Sequence, residues 1–383
     1  MNQNLRLPLE EDMEIFRDSV RKFFDREIAP HREDWLEKGM VERTAFEKAG
    51  AQGLLLMWAD EKYGGVGCTD FRYEQIIIEE QARIMESGLF LALHSRLVAP
   101  YFKHFGTEEQ RMRFLPDFIS GKKILGIGMT EPGAGSDLAG MKTHAVDQGD
   151  HWLLNGQKTY ISNGILGDVF VVAAKTDPQQ KHAMGLFIVE RGMEGFERGR
   201  KLRKMGLHSQ DTAELFFTDV RIAKENVLGD AHKGFYYMMQ GLAEERLLSA
   251  VQSLSAAGQA YQLTLDYVKE RKAFGKAVAD FQNTRFVMAK MRAELDMGQA
   301  FVDRLVSMHN EQKLDAVLAA EGKMMLSELQ GRVVDECVQL HGGAGYMEEY
   351  AICQLYTDAR VTRIFAGSTE IMKEIISRDI FSK

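Results

Sequence analysis

Proline is scarce in this chain: there are six in 383 residues, and none follows Pro178. Nothing in the second half therefore breaks a long helix by ring clash or a missing N–H. Cysteine is scarcer. Cys68, Cys337 and Cys353 are odd in number and never two residues apart, which excludes a disulfide framework or a zinc knuckle and points to a reducing compartment. No metal site is expected. No apolar run approaches the roughly 20 residues needed to cross a bilayer. The stretch MNQNLRLPLEEDM is too acidic and polar for a signal or transit peptide. A cytoplasmic protein without membrane insertion is the expectation. Positive charge is also short, 48 Lys plus Arg against 56 Asp plus Glu, and the net charge of -8 disfavours a nucleic-acid footprint.

Apolar residues are plentiful. They make up 45% of the chain against 27% charged, the profile of a folded globular protein, and the length predicts two to three domains at about 150 residues each. From about Met13 to Gly121 apolar residues recur three and four apart, as in Met13, Phe16, Val20, Phe23 and Phe24, with Gly64, Gly65 and Gly67 marking a loop. Residues 1–122 read as an all-helical domain. Within 123–230 the texture changes to short runs, HWLLNGQKTYIS, DVFVVAAKT, MGLFIVE and TAELFFTDVRI, which predict an antiparallel sheet or small barrel. No helical pattern alternates with them, so a doubly wound fold is excluded. Within 231–383 the helical period returns through Leu247, Val251, Leu254, Gly258, Tyr261, Leu265 and Val268, and continues over 281–308 and 314–340. A four-helix bundle closes the chain economically, giving an α+β multidomain fold class.

Five constellations carry possible chemistry. In Met129-Thr130-Glu131-Pro132-Gly133-Ala134-Gly135-Ser136-Asp137 two glycines free the backbone for close approach, and hydroxyls stand ready for a phosphate or polar ring edge; taken alone, a plain turn is the favoured explanation. In His341-Gly342-Gly343-Ala344-Gly345-Tyr346 glycines cost roughly 1 kcal/mol each inside a helix, so either the helix ends there or backbone is cleared for a ligand. Ala366-Gly367-Ser368-Thr369-Glu370 reads as a helix cap whose free N–H groups also favour an anion. Glu244-Glu245-Arg246 reads as the start of a long helix, where acids suit the dipole. Stepping back seven from Val251 puts Glu244 on the buried stripe and Glu245 on its edge, so phase leaves the inward acid open. Arg271-Lys272-Ala273-Phe274-Gly275-Lys276, with Gln282 after it, reads alone as a basic helix end.

Taken together, in this order and spacing, the elements resemble the acyl-CoA dehydrogenase family over essentially the whole chain. TEPGAGSD and QLHGGAGY…DARVTRIFAGSTEIMKEIISR look like its two signatures, and ERKAFGK with Gln282 resembles the segment that reaches a neighbouring subunit's flavin. The resemblance implies an FAD enzyme that oxidises acyl-CoA to trans-2-enoyl-CoA and passes electrons to electron-transferring flavoprotein. A carboxylate takes the pro-R proton from the α carbon while hydride leaves the β carbon for the flavin. By family position Ile127, Met129, Thr130, Gly135, Ser136, Tyr160, Ile161 and Ser162 hold the flavin ring and phosphates. Arg271, Phe274, Gln282, Gln339, Gly342 and Gly343 reach FAD across a subunit interface, and Ser368, Thr369 and Glu370 close the site. A homotetramer follows. Ser136, Arg246, Ala366 and Gly367 are the implied substrate contacts.

One departure matters. Many members carry the catalytic glutamate where this chain has Ala366, whose backbone N–H keeps only the role of donor to the thioester oxygen, with a flavin ribityl hydroxyl as the other half. A minority branch, the isovaleryl and long-chain enzymes, places the base on the long helix just before an arginine. KGFYYMMQGLAEERLLSA resembles the long-chain enzyme there, and alignment on Arg246 makes Glu245 the base. Ala243 replaces an aspartate that some relatives carry. The expected substrate is a medium to long or methyl-branched acyl-CoA. The competing readings are an oxygen-using acyl-CoA oxidase on the same scaffold and an inactive homologue that binds FAD and acyl-CoA as a scaffold.

Overall fold

A computed structural model describes residues 6–382; the first five residues of the polar N-terminal stretch, and Lys383, lie outside it. The N-terminal domain is helical, with α1 (Glu11–Phe23), α2 (Arg32–Lys38), α3 (Arg43–Ala51), α4 (Phe71–Arg83), α5 (Ala99–Phe105) and α6 (Glu108–Ile119). The spacing in α1 puts Met13, Val20 and Phe23 on its buried face, as the period requires. Burying each such side chain contributes about 1.5–3 kcal/mol. A π-helical stretch, Leu93–Val98, runs directly into α5. Its wider turn re-aims Arg96 and Leu97 relative to a regular helix. A capping box starts α6: the Thr107 hydroxyl accepts from the Gln110 N–H and the Gln110 side chain accepts from the Thr107 N–H.

The middle domain is one seven-stranded sheet built from β1 (Leu125–Gly128), β2 (His144–Asp147), β3 (His151–Ser162), β4 (Val169–Lys175), β5 (Met184–Glu190), β6 (Phe196–Lys201) and β7 (Thr212–Ala223). The strand order is β1-β4-β2-β3-β7-β6, with β5 paired to β4. Most pairings are antiparallel as expected, but β1 and β2 pair with β4 in parallel. The connections between these partners are long enough for a crossover, which a parallel pair requires. Trp152, Phe170, Phe187 and Leu215 fill the domain core.

The C-terminal domain contains α7 (Gly234–Glu270), α8 (Gln282–Asn310) and α9 (Ala316–His341), followed by the shorter α10 (Ala351–Ala359) and α11 (Thr369–Phe381), which both pack on α9. Between α7 and α8 a hairpin of β8 (Lys272–Ala273) and β9 (Lys276–Ala277) projects outward. The long helix begins earlier than the spacing around Leu247 suggests. Gly234 starts it where an added Cβ would lie 2.8 Å from the Met184 carbonyl oxygen, a close approach that only glycine tolerates. Glu244 and Glu245 therefore lie about three turns in, not in the first turn. The dipole explanation for these acids falls away with that position, because the macrodipole acts within the first and last turns.

Candidate functional site

The three domains meet at an open pocket. Ile127, Met129 and Thr130 enter it from the end of β1, and Tyr160, Ile161 and Ser162 from the end of β3. Glu245 enters from α7 and Ala366 from the loop before α11. Eight of the expected site residues thus converge from four segments of sequence.

Local structure explains the convergence. A register shift in the β3–β7 pairing falls between Lys158 and Ile161, and Tyr160 adopts a left-handed φ of 59° there. Such a bulge re-aims side chains. Tyr160 points out, 70% exposed, while Lys158 is fully buried. The Lys158 ammonium then donates to Glu131 Oε1 at 2.7 Å and to the Met129 carbonyl at 3.1 Å. Glu131 also accepts the N–H groups of Lys142 and Thr143. These bonds tie the TEPGAGSD loop to β3 beneath the pocket. Burial pushes the Lys158 ammonium down to about 8, while the charge of Glu131 opposes the fall.

Beyond Glu245 lies a second chamber of about 640 Å³, lined by Pro100, Tyr101, Phe105, Tyr237 and Gly241, with Arg96, His104 and Glu244. Glu245 borders both cavities, so what remains of its accessible surface faces their interiors. Burial pushes its carboxyl up to about 7, even though Arg246 and Lys323 pull it down. Glu244 behaves oppositely. Burial raises it, but His309, 3.2 Å away, together with Arg96 and Lys103, holds it below the usual carboxylate range. The buried Arg96 lies 3.6 Å from Glu244 and 3.2 Å from Glu74. Of two adjacent acids, one is a fixed anion and the other titrates near neutrality. Two acids whose surroundings push their pKa values apart can divide the roles of fixed charge and proton acceptor. The buried Arg246 donates to the Ala316 carbonyl at 3.3 Å, so it braces α7 against α9.

Other expected residues stand apart from the pocket. Gly135 and Ser136 are exposed, and an added Cβ on Gly133 or Gly135 meets nothing within 4 Å. Gln339, Gly342 and Gly343 are exposed where α9 ends, and a Cβ on either glycine also meets nothing. Arg271 and Gln282 are exposed at the hairpin base, and Phe274 at its tip is 96% exposed. Ser368 caps α11 by accepting from the Ile371 N–H at 3.4 Å, Thr369 is buried and Glu370 exposed in its first turn. Gly367 follows Ala366 with a φ of 86°.

The sequence reading missed Leu248, Ser249 and Gln252, which line the pocket with Glu245. They lie three, four and seven residues beyond it, so helical phase counted from that acid finds them. It also missed Phe90, Leu93 and Leu97, which only the docking of the N-terminal domain brings in. Two features ask for a polar ligand. Ser249 Oγ, 3% exposed on the pocket wall, and Thr369 Oγ1 have no hydrogen-bond partner among the described residues. A buried hydroxyl without a partner is costly unless a bound group satisfies it.

The comparisons with known proteins give the class. Family models described as acyl-CoA dehydrogenase N-terminal, middle and C-terminal domains match residues 10–122, 126–220 and 232–381. The chain belongs to the acyl-CoA dehydrogenase family, which are FAD-dependent oxidoreductases. It is 48% identical over 372 residues to a mitochondrial long-chain specific acyl-CoA dehydrogenase of Mus musculus, covering 96% of this chain and 86% of that one. It is 35% identical to the caffeyl-CoA reductase-Etf complex subunit CarC of Acetobacterium woodii, over 97% of this chain and 99% of that one. A solved structure of an acyl-CoA dehydrogenase from Geobacillus kaustophilus superposes with a TM-score of 0.96 at 46% identity, covering 98% of this chain and all of that one.

Proposed function

We propose that this protein oxidises medium to long or methyl-branched acyl-CoA to trans-2-enoyl-CoA, with Glu245 as the base. The observation that carries the reading is the carboxyl of Glu245, at the junction of the two cavities and titrating near neutrality.

The residues present suit FAD. Ile127, Met129, Thr130, Tyr160, Ile161 and Ser162 would hold its ring system, with Ser136 and Gly135 reaching its phosphates. The unpartnered hydroxyl of Ser249 on the pocket wall suits one of its polar edges. When bound, FAD supplies the two-electron acceptor for the hydride leaving the β carbon. The chain does the rest. An α C–H beside a thioester is weakly acidic, so the developing enolate oxygen needs a donor and the base needs a dry pocket. In this reading the donor is the N–H of Ala366, which lines the pocket. Glu245, partly desolvated, accepts the α proton at its carboxylate oxygen. The charge of Glu244 is fixed by His309 and Arg96, which makes it a poor base in comparison.

The chamber beyond Glu245 gives a long acyl chain somewhere to go, and Gly241 on its wall leaves it wide. Exposed Phe274, Phe286, Met297 and Tyr346 on the C-terminal domain favour assembly into a homotetramer. Arg271, Phe274, Gln282, Gln339, Gly342 and Gly343 would then serve the FAD of a neighbouring subunit. The electron acceptor in this reading is an electron-transferring flavoprotein.

The test is a panel of straight and methyl-branched acyl-CoAs, mixed anaerobically with holoenzyme while flavin absorbance is followed. Bleaching should be fastest with long chains, and reoxidation by electron-transferring flavoprotein should outrun that by oxygen. Absence of bleaching with every thioester would defeat the proposal.

A further inference from the structure

Lys323 was not among the residues expected to matter. It lies on α9 with no exposed surface, where lysine is almost never found unless paired. Its ammonium donates at 2.6 Å not to a carboxylate but to the carbonyl of Gly367. That carbonyl belongs to a strained piece of backbone. Ala366 and Gly367 are both left-handed, with φ of 52° and 86°. A non-glycine residue in that region costs on the order of 1 kcal/mol and persists only where surroundings hold it. The Lys323 bond is such a hold, and it acts one peptide away from the Ala366 N–H.

We infer that Lys323 is a positioning residue for the reaction: through Gly367 it fixes the Ala366 amide toward the thioester oxygen, and its cation offsets the charge of Glu245. The inference rests on the reading of Glu245 as the base. The groups facing Glu245 are Arg246 on its own helix, Lys323 from α9 and Tyr101 from α5, with Arg96, His104 and Glu244 around the same chamber. Among these, Lys323 alone also touches the loop that carries the donor amide. One side chain therefore couples the two ends of the proton transfer. Here the loop contributes only backbone, so its geometry depends on what grips it from behind. Burial lowers the Lys323 ammonium to about 8, with Arg246 adding to the fall and Glu245 and Glu370 opposing it, so the cation persists at neutral pH.

The experiment compares Lys323→Met, Lys323→Gln and Lys323→Arg holoenzymes with Glu245→Gln. Two readouts are taken: the limiting rate of anaerobic flavin bleaching by a long acyl-CoA, and infrared titration of the carboxylic C=O band that Glu245→Gln abolishes, without substrate. Lys323→Met should slow bleaching on the order of 10- to 100-fold, short of the full loss of an oxyanion donor. It should also move the Glu245 titration to higher pH by roughly half a unit or more, since a neighbouring cation is gone. Lys323→Arg keeps the charge and should return the titration to the parent value. Lys323→Gln keeps a donor without charge, so it should shift the titration as Met does while regaining part of the rate.

An unshifted titration in both Met and Gln variants overturns the inference, and so does an Arg variant shifted as far as Met, which would mean packing alone. Should the Met variant fail to fold, the Gln and Arg pair decides on the same criteria. Normal bleaching by Glu245→Gln would remove the base assignment and this inference together. A fully active, unshifted Lys323→Met beside a dead Glu245→Gln would remove only the inference.

Discussion

Changing Glu245 to glutamine preserves side-chain shape and removes the titrating group. Two consequences follow. The carboxyl titrates at about 7 against an ordinary 4.5, which at about 1.4 kcal/mol per pH unit is about 3 kcal/mol against the charged form in the folded protein. The raised value means that the folded state binds this proton more tightly than the unfolded chain does. Below about pH 4.5 both states hold it and there is no penalty. Stability is lost as pH rises toward 7, and above that the penalty is complete. Glutamine carries no charge, so Glu245→Gln should be more stable than the parent by about 1–3 kcal/mol at pH 8 and indistinguishable at pH 4.5, its amide recovering less than the full amount. Activity should go the other way. Loss of a positioned general base costs about 10²–10⁴ in rate. Anaerobic stopped-flow bleaching of flavin should fall by that factor while FAD and acyl-CoA remain bound, and Glu244→Gln should stay active. In the parent enzyme the bleaching rate should rise with pH along a limb near 7. The reasoning is refuted if the two glutamine variants lose equal activity, or if Glu245→Gln gains no stability at pH 8 in parallel thermal melts.

Ala366→Glu should not add a second base: two carboxylates in one dry pocket raise each other's pKa, so the acid limb of the pH profile should move upward and the rate at pH 7 should fall. Gly241→Val should shorten the preferred acyl chain in a kcat/KM series, because its Cβ meets only Tyr101 Oη, at 3.7 Å, and the added methyls enter the chamber. Gly343→Val and Phe274→Ala change atoms that touch little within the chain. Each should leave helical circular dichroism intact while lowering the flavin-to-protein absorbance ratio and the mass measured by light scattering. A tetramer that keeps its FAD in both variants would argue against a shared cofactor site.

Much of this architecture can be read without coordinates. Local chemistry dictates the three-part texture of helix, sheet and helix: apolar residues every three to four positions in one region, alternating β-branched runs bounded by Gly and Asn in the next, and a proline-free tail. The run HWLLNGQKTYIS coincides with β3 from His151 to Ser162, and Ser368 caps α11 as its residue type suggests. Gly133, Gly135, Gly342 and Gly343 mark backbone left clear of side chains, whereas an added Cβ on Gly345 would lie 2.6 Å from the Val338 carbonyl oxygen.

Helical phase left the choice between Glu244 and Glu245 open, and only the family resemblance pointed to Glu245. Phase put Glu244 on the buried stripe and Glu245 on its edge without settling which points inward, and the start of α7 at Gly234 moved both acids out of the first turn. What separates them lies on other elements: Arg96 from the π-helical stretch and His309 from α8 neutralise one, while the other is left desolvated against two cavities. The pairing of Lys158 with Glu131 and the grip of Lys323 on Gly367 are likewise contacts between residues far apart in the chain. Propensity, period and turn chemistry act over a few residues and are written in order along the chain. The ionisation of a buried acid depends on charges and solvent within a few ångströms, and folding alone decides which charges those are.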